Sequence, residues 1–172
     1  SFASLITIEG SFRFEYNHYV ESLSLPAVTE IQGQLYMYSN DRLETMLFSN
    51  LGEISSSLQM QYNYQVEAID LSSLHTVNGS FEVRSLNQME LLDLPALDEV
   101  NGSFNVSNCS SLMTLNAPAF NDLSGSLTIR DNGDLESVDL TSLTCVTDYT
   151  VVGNDLDDDD RRDLLLHIIS DC

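Results

Sequence analysis

The chain has 172 residues with 27 acidic and six basic side chains, giving a formal net charge of −21. Its basic residues are all arginine, so the charge balance excludes the basic surface that nucleic acid requires. Anionic membrane surfaces are equally poor partners, and no signal peptide, apolar span or anchor tail is visible, which fits a mature or trimmed ectodomain.

From the first residues the chain is already in phase with a repeat. Leu5, Val28, Leu51, Leu74, Leu97, Phe120 and Leu143 stand 23 residues apart. Ile8, Ile31, Ile54, Val77, Val100, Leu123 and Val146 follow three residues later, then Gly10, Gly33, Gly79, Gly102 and Gly125, with Ser56 as the exception. Next come apolar pairs separated by one residue, such as Phe12/Phe14, Leu35/Met37 and Phe81/Val83. Asn17, Asn40, Asn63 and Asn132 form a column with Leu86 and Cys109, and each unit closes with a second alternating pair such as Leu23/Leu25 or Leu92/Leu94.

A period of this length, held over six units, means a solenoid. Alternating apolar pairs mark short strands with one side inward, and no unit has sustained helical periodicity. Each unit therefore reads as one coil of a parallel β-solenoid, its strands pairing with those of neighbouring coils at about 4.8 Å. The glycine column is expected to supply a backbone conformation that side chains disfavour at a tight turn. The Asn column is expected to point inward and satisfy backbone groups of the adjacent coil, with Cys109 as a small buried thiol.

The run Leu94-Pro95-Ala96-Leu97-Asp98-Glu99-Val100-Asn101-Gly102-Ser103-Phe104-Asn105-Val106, continued by Asn108-Cys109-Ser110-Ser111-Leu112, resembles the receptor L-domain repeat, a relative in style of the leucine-rich repeat. It is especially similar to the form in fungal cell-wall proteins carried on lipid anchors. The resemblance spans roughly residues 3 to 155. It implies a right-handed β-helix outside the cell, without catalysis. Insulin-type and epidermal-growth-factor-type receptors bind ligands with such domains, and the fungal proteins serve wall organisation. No motif here carries a ligand-contact residue of the family.

Surface columns add detail. Tyr16, Tyr19, Tyr36, Tyr38, Tyr62 and Tyr64 lie in the first three coils, and strand alternation sends most of them outward, with His18 among them. Such a patch suits a protein or sugar ligand, or stabilises the sheet as a cross-strand ladder. In coils four and five the same columns hold Glu82, Arg84, Asn105, Ser107 and Asn108. Glu21, Glu44, Glu67, Glu90 and Glu136 form one acidic column, and Asp70, Asp93 and Asp139 another. These stripes are either solvated or bridged by divalent cations such as calcium.

Four sequons, at Asn78, Asn101, Asn105 and Asn108, fall on outward positions and point to a secreted glycoprotein where the host glycosylates. Asn78 and Asn101 share a column, so unequal occupancy is expected. Cys145 in the last coil and the terminal Cys172 form the expected disulfide, with three free thiols in a cytosolic protein as the alternative. After Leu156 the repeat gives way to Asp157-Asp158-Asp159-Asp160-Arg161-Arg162 and an apolar run. Residues 157–170 read as an amphipathic helix capping the last coil, the aspartates facing its positive end. The same aspartates could instead hold a cation.

The expected organisation is one domain: an all-β, parallel right-handed β-helix of six to seven coils over residues 1–155, then a cap over 156–172. The open first coil is either a product of truncation or processing, or an edge that meets another subunit head to tail, burying Phe2, Leu5, Ile8 and Phe12. No serine or cysteine stands beside His18, His75 or His167, and the arginines are scattered among the columns, so no catalytic constellation emerges. The reading is a non-enzymatic extracellular structural or adhesion glycoprotein of wall, matrix or fibre. Its partners would be copies of itself, other extracellular proteins or glycans. The alternative is a receptor-type ectodomain that binds ligand through the tyrosines.

Overall fold

A computed structural model describes residue 2 and residues 4–169, apart from the side chains of residues 163 and 165–169. Six coils each contribute three strands. The first holds β1 (Thr7–Ile8), β2 (Phe12–Glu15) and β3 (Ser22–Ser24), and the second β4 (Glu30–Ile31), β5 (Leu35–Tyr38) and β6 (Thr45–Leu47). The third holds β7 (Glu53–Ile54), β8 (Leu58–Gln61) and β9 (Ala68–Asp70), and the fourth β10 (Thr76–Val77), β11 (Phe81–Arg84) and β12 (Leu91–Asp93). The fifth holds β13 (Glu99–Val100), β14 (Phe104–Ser107) and β15 (Thr114–Asn116), and the sixth β16 (Asp122–Leu123), β17 (Leu127–Arg130) and β18 (Ser137–Asp139). A last strand, β19 (Tyr149–Val152), and the helix α1 (Asp158–Ile169) follow.

The strands stack into three parallel faces. One is a six-stranded sheet, β1-β4-β7-β10-β13-β16, and one a seven-stranded sheet running from β2 to β19. The third face is divided into β3-β6-β9 and β12-β15-β18. Pairing follows the sequence period, with Thr7 opposite Glu30, Phe12 opposite Leu35 and Ser22 opposite Thr45. Strands of two to four residues are too short to persist alone, and only stacking buries their inward side chains. Leu35, Met37, Leu58, Met60, Phe81, Val83, Phe104 and Val106 are all fully buried.

The asparagine column works as the sequence indicates. Asn40 Oδ1 accepts the backbone N–H of Asn17 in the preceding coil, and Asn40 Nδ2 donates to Phe14 O. Asn63 repeats the pattern toward Asn40 and Met37, and Asn132 toward Cys109 and Val106. A further member, Asn154, accepts from Asn132 N and donates to Ile129 O. It escaped the sequence reading because the last coil is one residue short: Leu127 pairs with Tyr149, 22 residues on. Cys109 is a free, fully buried thiol in the same column, and desolvation pushes its pKa up to about 11.

The glycine column has a different cause from the one expected. Its members are not in the left-handed region, and of the glycines only Gly153 has positive φ, 71°. At Gly33, Gly79, Gly102 and Gly125 the cause is close approach of the preceding coil, whereas Gly10 in the first coil has open space around it. A Cβ on Gly102 would sit 2.7 Å from the Gly79 carbonyl carbon, and one on Gly125 2.6 Å from the Gly102 carbonyl carbon. The left-handed position lies instead just before the asparagine column, at Tyr16, Ser39, Tyr62, Ser85, Asn108 and Asp131, with φ of 49–58°. Each of these side chains costs about 1 kcal/mol in that conformation, a strain the stacked coils impose.

A serine ladder runs beside the glycines and was missed in the sequence. Ser57 Oγ accepts Ser80 N–H at 3.1 Å, Ser80 Oγ accepts Ser103 N–H at 3.2 Å, and Ser103 Oγ accepts Ser126 N–H at 3.3 Å. The helix begins one residue later than expected, because Asp157 is its N-cap: Asp157 Oδ1 accepts the N–H groups of Asp159 and Asp160. α1 packs against β18, with Leu164 buried. The expected end at residue 170 lies outside the described residues.

Candidate binding surface

Strand alternation turns Tyr36 and Tyr38 of β5 away from the core, opposite Arg13 and Glu15 of β2 and Gln59 and Gln61 of β8. Tyr38 lies at the centre of a ring cluster. It meets Tyr16 edge-on at 5.6 Å between centroids, Tyr62 edge-on at 5.4 Å, and stacks on Tyr36 at 5.8 Å. Tyr64 extends the cluster beyond Tyr62, and His18 extends it beyond Tyr16 while holding Asp41 at 2.6 Å. Tyr16 and Tyr62, the two rings that meet Tyr38 edge-on, both sit at left-handed backbone positions, with φ of 58° and 56°.

Tyr16, Tyr19 and Tyr64 are exposed, and Tyr36, Tyr38 and Tyr62 are half-buried. Burial, followed by the nearby Glu15 charge, raises the Tyr36 pKa and keeps its hydroxyl protonated as a donor. The ring contacts contribute about 0.5–1.5 kcal/mol each, so the cluster also braces the first three coils.

The arginines are not scattered in space. Arg13 lies over Tyr36 with Cζ 4.7 Å from the ring centroid, Arg84 over Tyr62 at 5.6 Å, and Arg42 over Tyr19 at 5.6 Å. Arg84 and Arg130 occupy one outward row on either side of Ser107. Arg13 pairs with Glu15 and Arg130 with Asp131. Beside this row, Arg84 Nε, Asn87 Oδ1, Asn105 Oδ1 and Ser107 Oγ are shielded from solvent and have no hydrogen-bond partner. Their two-residue and 23-residue offsets were visible in the sequence, but their shielding was not.

The sequons fall into two groups. Asn78 and Asn101 are exposed and bonded to each other, Asn101 Nδ2 to Asn78 Oδ1 at 3.2 Å. Their Gly-Ser successors are the close-approach glycines and ladder serines described above, so the fold accounts for the second and third residues of these triplets and leaves the asparagine free to vary, as Gln32, Ser55 and Ser124 show in the same column. Asn105 and Asn108 are half-buried rather than fully outward, and Asn105 Oδ1 is among the shielded atoms.

Glu21, Glu44, Glu67, Glu90 and Glu136 are all exposed in one column, which Met113 interrupts in the fifth coil. The aspartates are engaged by the chain. Asp70 Oδ1 accepts from Ser72 N and Oγ, Asp139 Oδ1 from Thr141 N, and Asp93 Oδ1 from Asn116 Nδ2. Hydrogen bonds from Ser49 and Ser72 hold the Asp70 carboxyl below the usual carboxylate range. A third acidic row, Glu30, Glu53, Glu99 and Asp122, stands on the six-stranded sheet. No group of three or more metal-ligating side chains converges among the described residues.

A hollow of about 280 Å³ lies where α1 meets β18, lined by Val138, Leu140, Leu156 and Leu164. Among the described residues no helix is long and apolar enough to cross a membrane. The expected bridge from Cys145 ends on Cys172, outside the described residues. Comparison with protein-family models, curated proteins and solved structures finds no match. What the fold defines is a class, the parallel β-solenoid of about 23 residues per coil with one C-terminal helix.

Proposed function

We propose that the chain is a non-enzymatic extracellular structural and adhesion protein whose working surface is the outward face of the seven-stranded sheet over the first three coils. The observation that carries it is the continuous ring cluster from His18 through Tyr16, Tyr38 and Tyr62 to Tyr64. Flat aromatic area with hydroxyls at its edges suits sugar stacking and protein contact. Tyr38 is fixed on β5, and ring contacts hold Tyr16 and Tyr62 against it from the adjoining corners, which lowers the ordering entropy that opposes binding. The likeness of Leu94–Leu112 to receptor L-domain repeats and the exposed sequons at Asn78 and Asn101 support an extracellular setting.

End-to-end association belongs to the same reading. Leu5, Ile8, Phe12 and Phe14 of the first coil are half-buried where their counterparts farther along are fully buried.

The test is co-sedimentation with insoluble wall or matrix polysaccharide, comparing the chain with a Tyr36→Ser/Tyr38→Ser/Tyr62→Ser variant checked for folding by circular dichroism. Retention of the parent chain and release of the variant is expected. Equal retention of both would remove the patch from the account.

A further inference from the structure

Resting on that reading, we propose that the ligand of the tyrosine face is an acidic saccharide, a uronate-bearing glycan whose carboxylate is anchored by Arg84 beside Tyr62. Four of the six basic side chains, Arg13, Arg42, Arg84 and Arg130, lie on or beside this face, and the other two are in α1. In a chain with 27 carboxylates, Arg84 makes no ion pair with any described residue. Its guanidinium lies over the Tyr62 ring and its Nε has no acceptor. Glu82, two residues earlier on the same outward side of β11, leaves it unpaired.

An arginine over an aromatic ring keeps its in-plane donors for a carboxylate while the ring covers one face. Such a fork binds carboxylate more strongly than a neutral donor can.

The neighbouring orphans favour a sugar over an acidic peptide. Asn105 Oδ1 and Asn87 Oδ1 are acceptors that need donors, and Ser107 Oγ, opposite Arg84 in the sheet, can do either. A buried polar atom without a partner costs about 1–3 kcal/mol. A ligand rich in hydroxyls supplies both donors and acceptors for such atoms once they turn toward it. The exposed rings of Tyr16 and Tyr64 and the half-buried Tyr62 offer stacking surface on the same side.

The test is isothermal titration with a panel of uronate oligosaccharides, matched neutral oligosaccharides and poly-glutamate, at low and high salt. The chain is compared with Arg84→Gln, Arg130→Gln and Tyr62→Ser, each checked for an unchanged unfolding transition. Uronate binding that Arg84→Gln weakens at least tenfold, and that salt also weakens, supports the proposal. Neutral sugars binding equally well, with Arg84→Gln silent, overturns it while leaving the tyrosine face as a binding surface. Poly-glutamate binding in place of uronates overturns it in favour of an acidic protein partner. Failure of every uronate overturns it outright. Uronate binding that survives Tyr62→Ser, Arg84→Gln and the triple tyrosine variant overturns both it and the reading it rests on.

Discussion

Asn40 and Asn63, 23 residues apart, are joined by two hydrogen bonds: Asn40 N–H and Asn40 Nδ2 both donate to Asn63 Oδ1, at 3.0 and 2.9 Å. Asn40 in turn serves Asn17 and Phe14, so one fully buried amide links three coils. Replacing Asn40 with leucine leaves the Asn17 N–H without its acceptor and removes the side-chain bonds to Phe14 O and Asn63 Oδ1. A loss of about 2–4 kcal/mol is expected in urea unfolding. A change below about 0.5 kcal/mol, the range of ordinary surface substitutions, would show that the ladder does not stabilise the stack.

The ladder has one natural gap. Leu86 offers no oxygen to the Asn63 N–H, and the third face divides between β9 and β12 at the same boundary. Backbone amides of β12 are therefore expected to exchange with deuterium faster than those of β9, whose Ala68 N–H donates to Glu44 O at 3.2 Å. Equal protection of the two strands would contradict a weakened seam there.

The two corners of each coil respond oppositely to glycine chemistry. Ser39→Gly relieves a φ of 49° and is expected to stabilise by about 0.5–1 kcal/mol. Gly102→Ala places a Cβ 2.7 Å from the backbone of the preceding coil and is expected to destabilise by about 1–3 kcal/mol. Thermal unfolding of the two variants checks both signs, and a reversal of either would reassign the strained corner.

Cys109 ties stability to alkaline pH. Its folded pKa, about 11, lies above the ordinary thiol value of 9.0, so between those values the unfolded chain loses the proton first. The unfolded state then binds fewer protons, and stability falls as pH rises through this window, by about 2–3 kcal/mol in all. Cys109→Ala should flatten that part of the pH profile relative to the parent chain. Identical slopes would mean the thiol is not held neutral by the fold.

Glycan mapping tests the surface. Asn105 stands opposite Glu82 on the outward side of the sheet, half-buried and with its Oδ1 shielded, so a glycan on its Nδ2 would have to reorient the side chain. Chain made in a glycosylating host is expected to carry sugar at Asn78 or Asn101 and none at Asn105. Full occupancy of Asn105 would close that part of the face.

Much of the fold was legible because a solenoid writes its inward positions as columns. Leu35/Met37 and Phe81/Val83 needed only alternation, and the asparagines needed only their period. The glycines were misassigned because two causes, positive φ and close approach, leave the same letter in the sequence. The left-handed corner went unseen because Tyr, Ser, Asn and Asp share it without a common signature. Asn154 was hidden by a single missing residue. At the site the tyrosines announced themselves, but the arginines lie in three different columns, and only coiling brings them to one side. The acidic columns were legible as alignment only, since a column does not show whether hydrogen bonds already occupy a carboxylate such as Asp70.

The central claim is that the outward seven-stranded face binds. With seven tyrosines and no tryptophan, the chain reports on itself. Five tyrosines form the ring cluster, Tyr19 lies apart from it under Arg42, and Tyr149 lies on the last strand, far along the stack. Ring resonances followed by NMR during titration with solubilised wall or matrix polysaccharide give the most direct answer. The account predicts shifts at Tyr16, Tyr36, Tyr38, Tyr62 and Tyr64 with Tyr149 unmoved. Shifts confined to Tyr149, or no shifts at saturating polysaccharide, would contradict it.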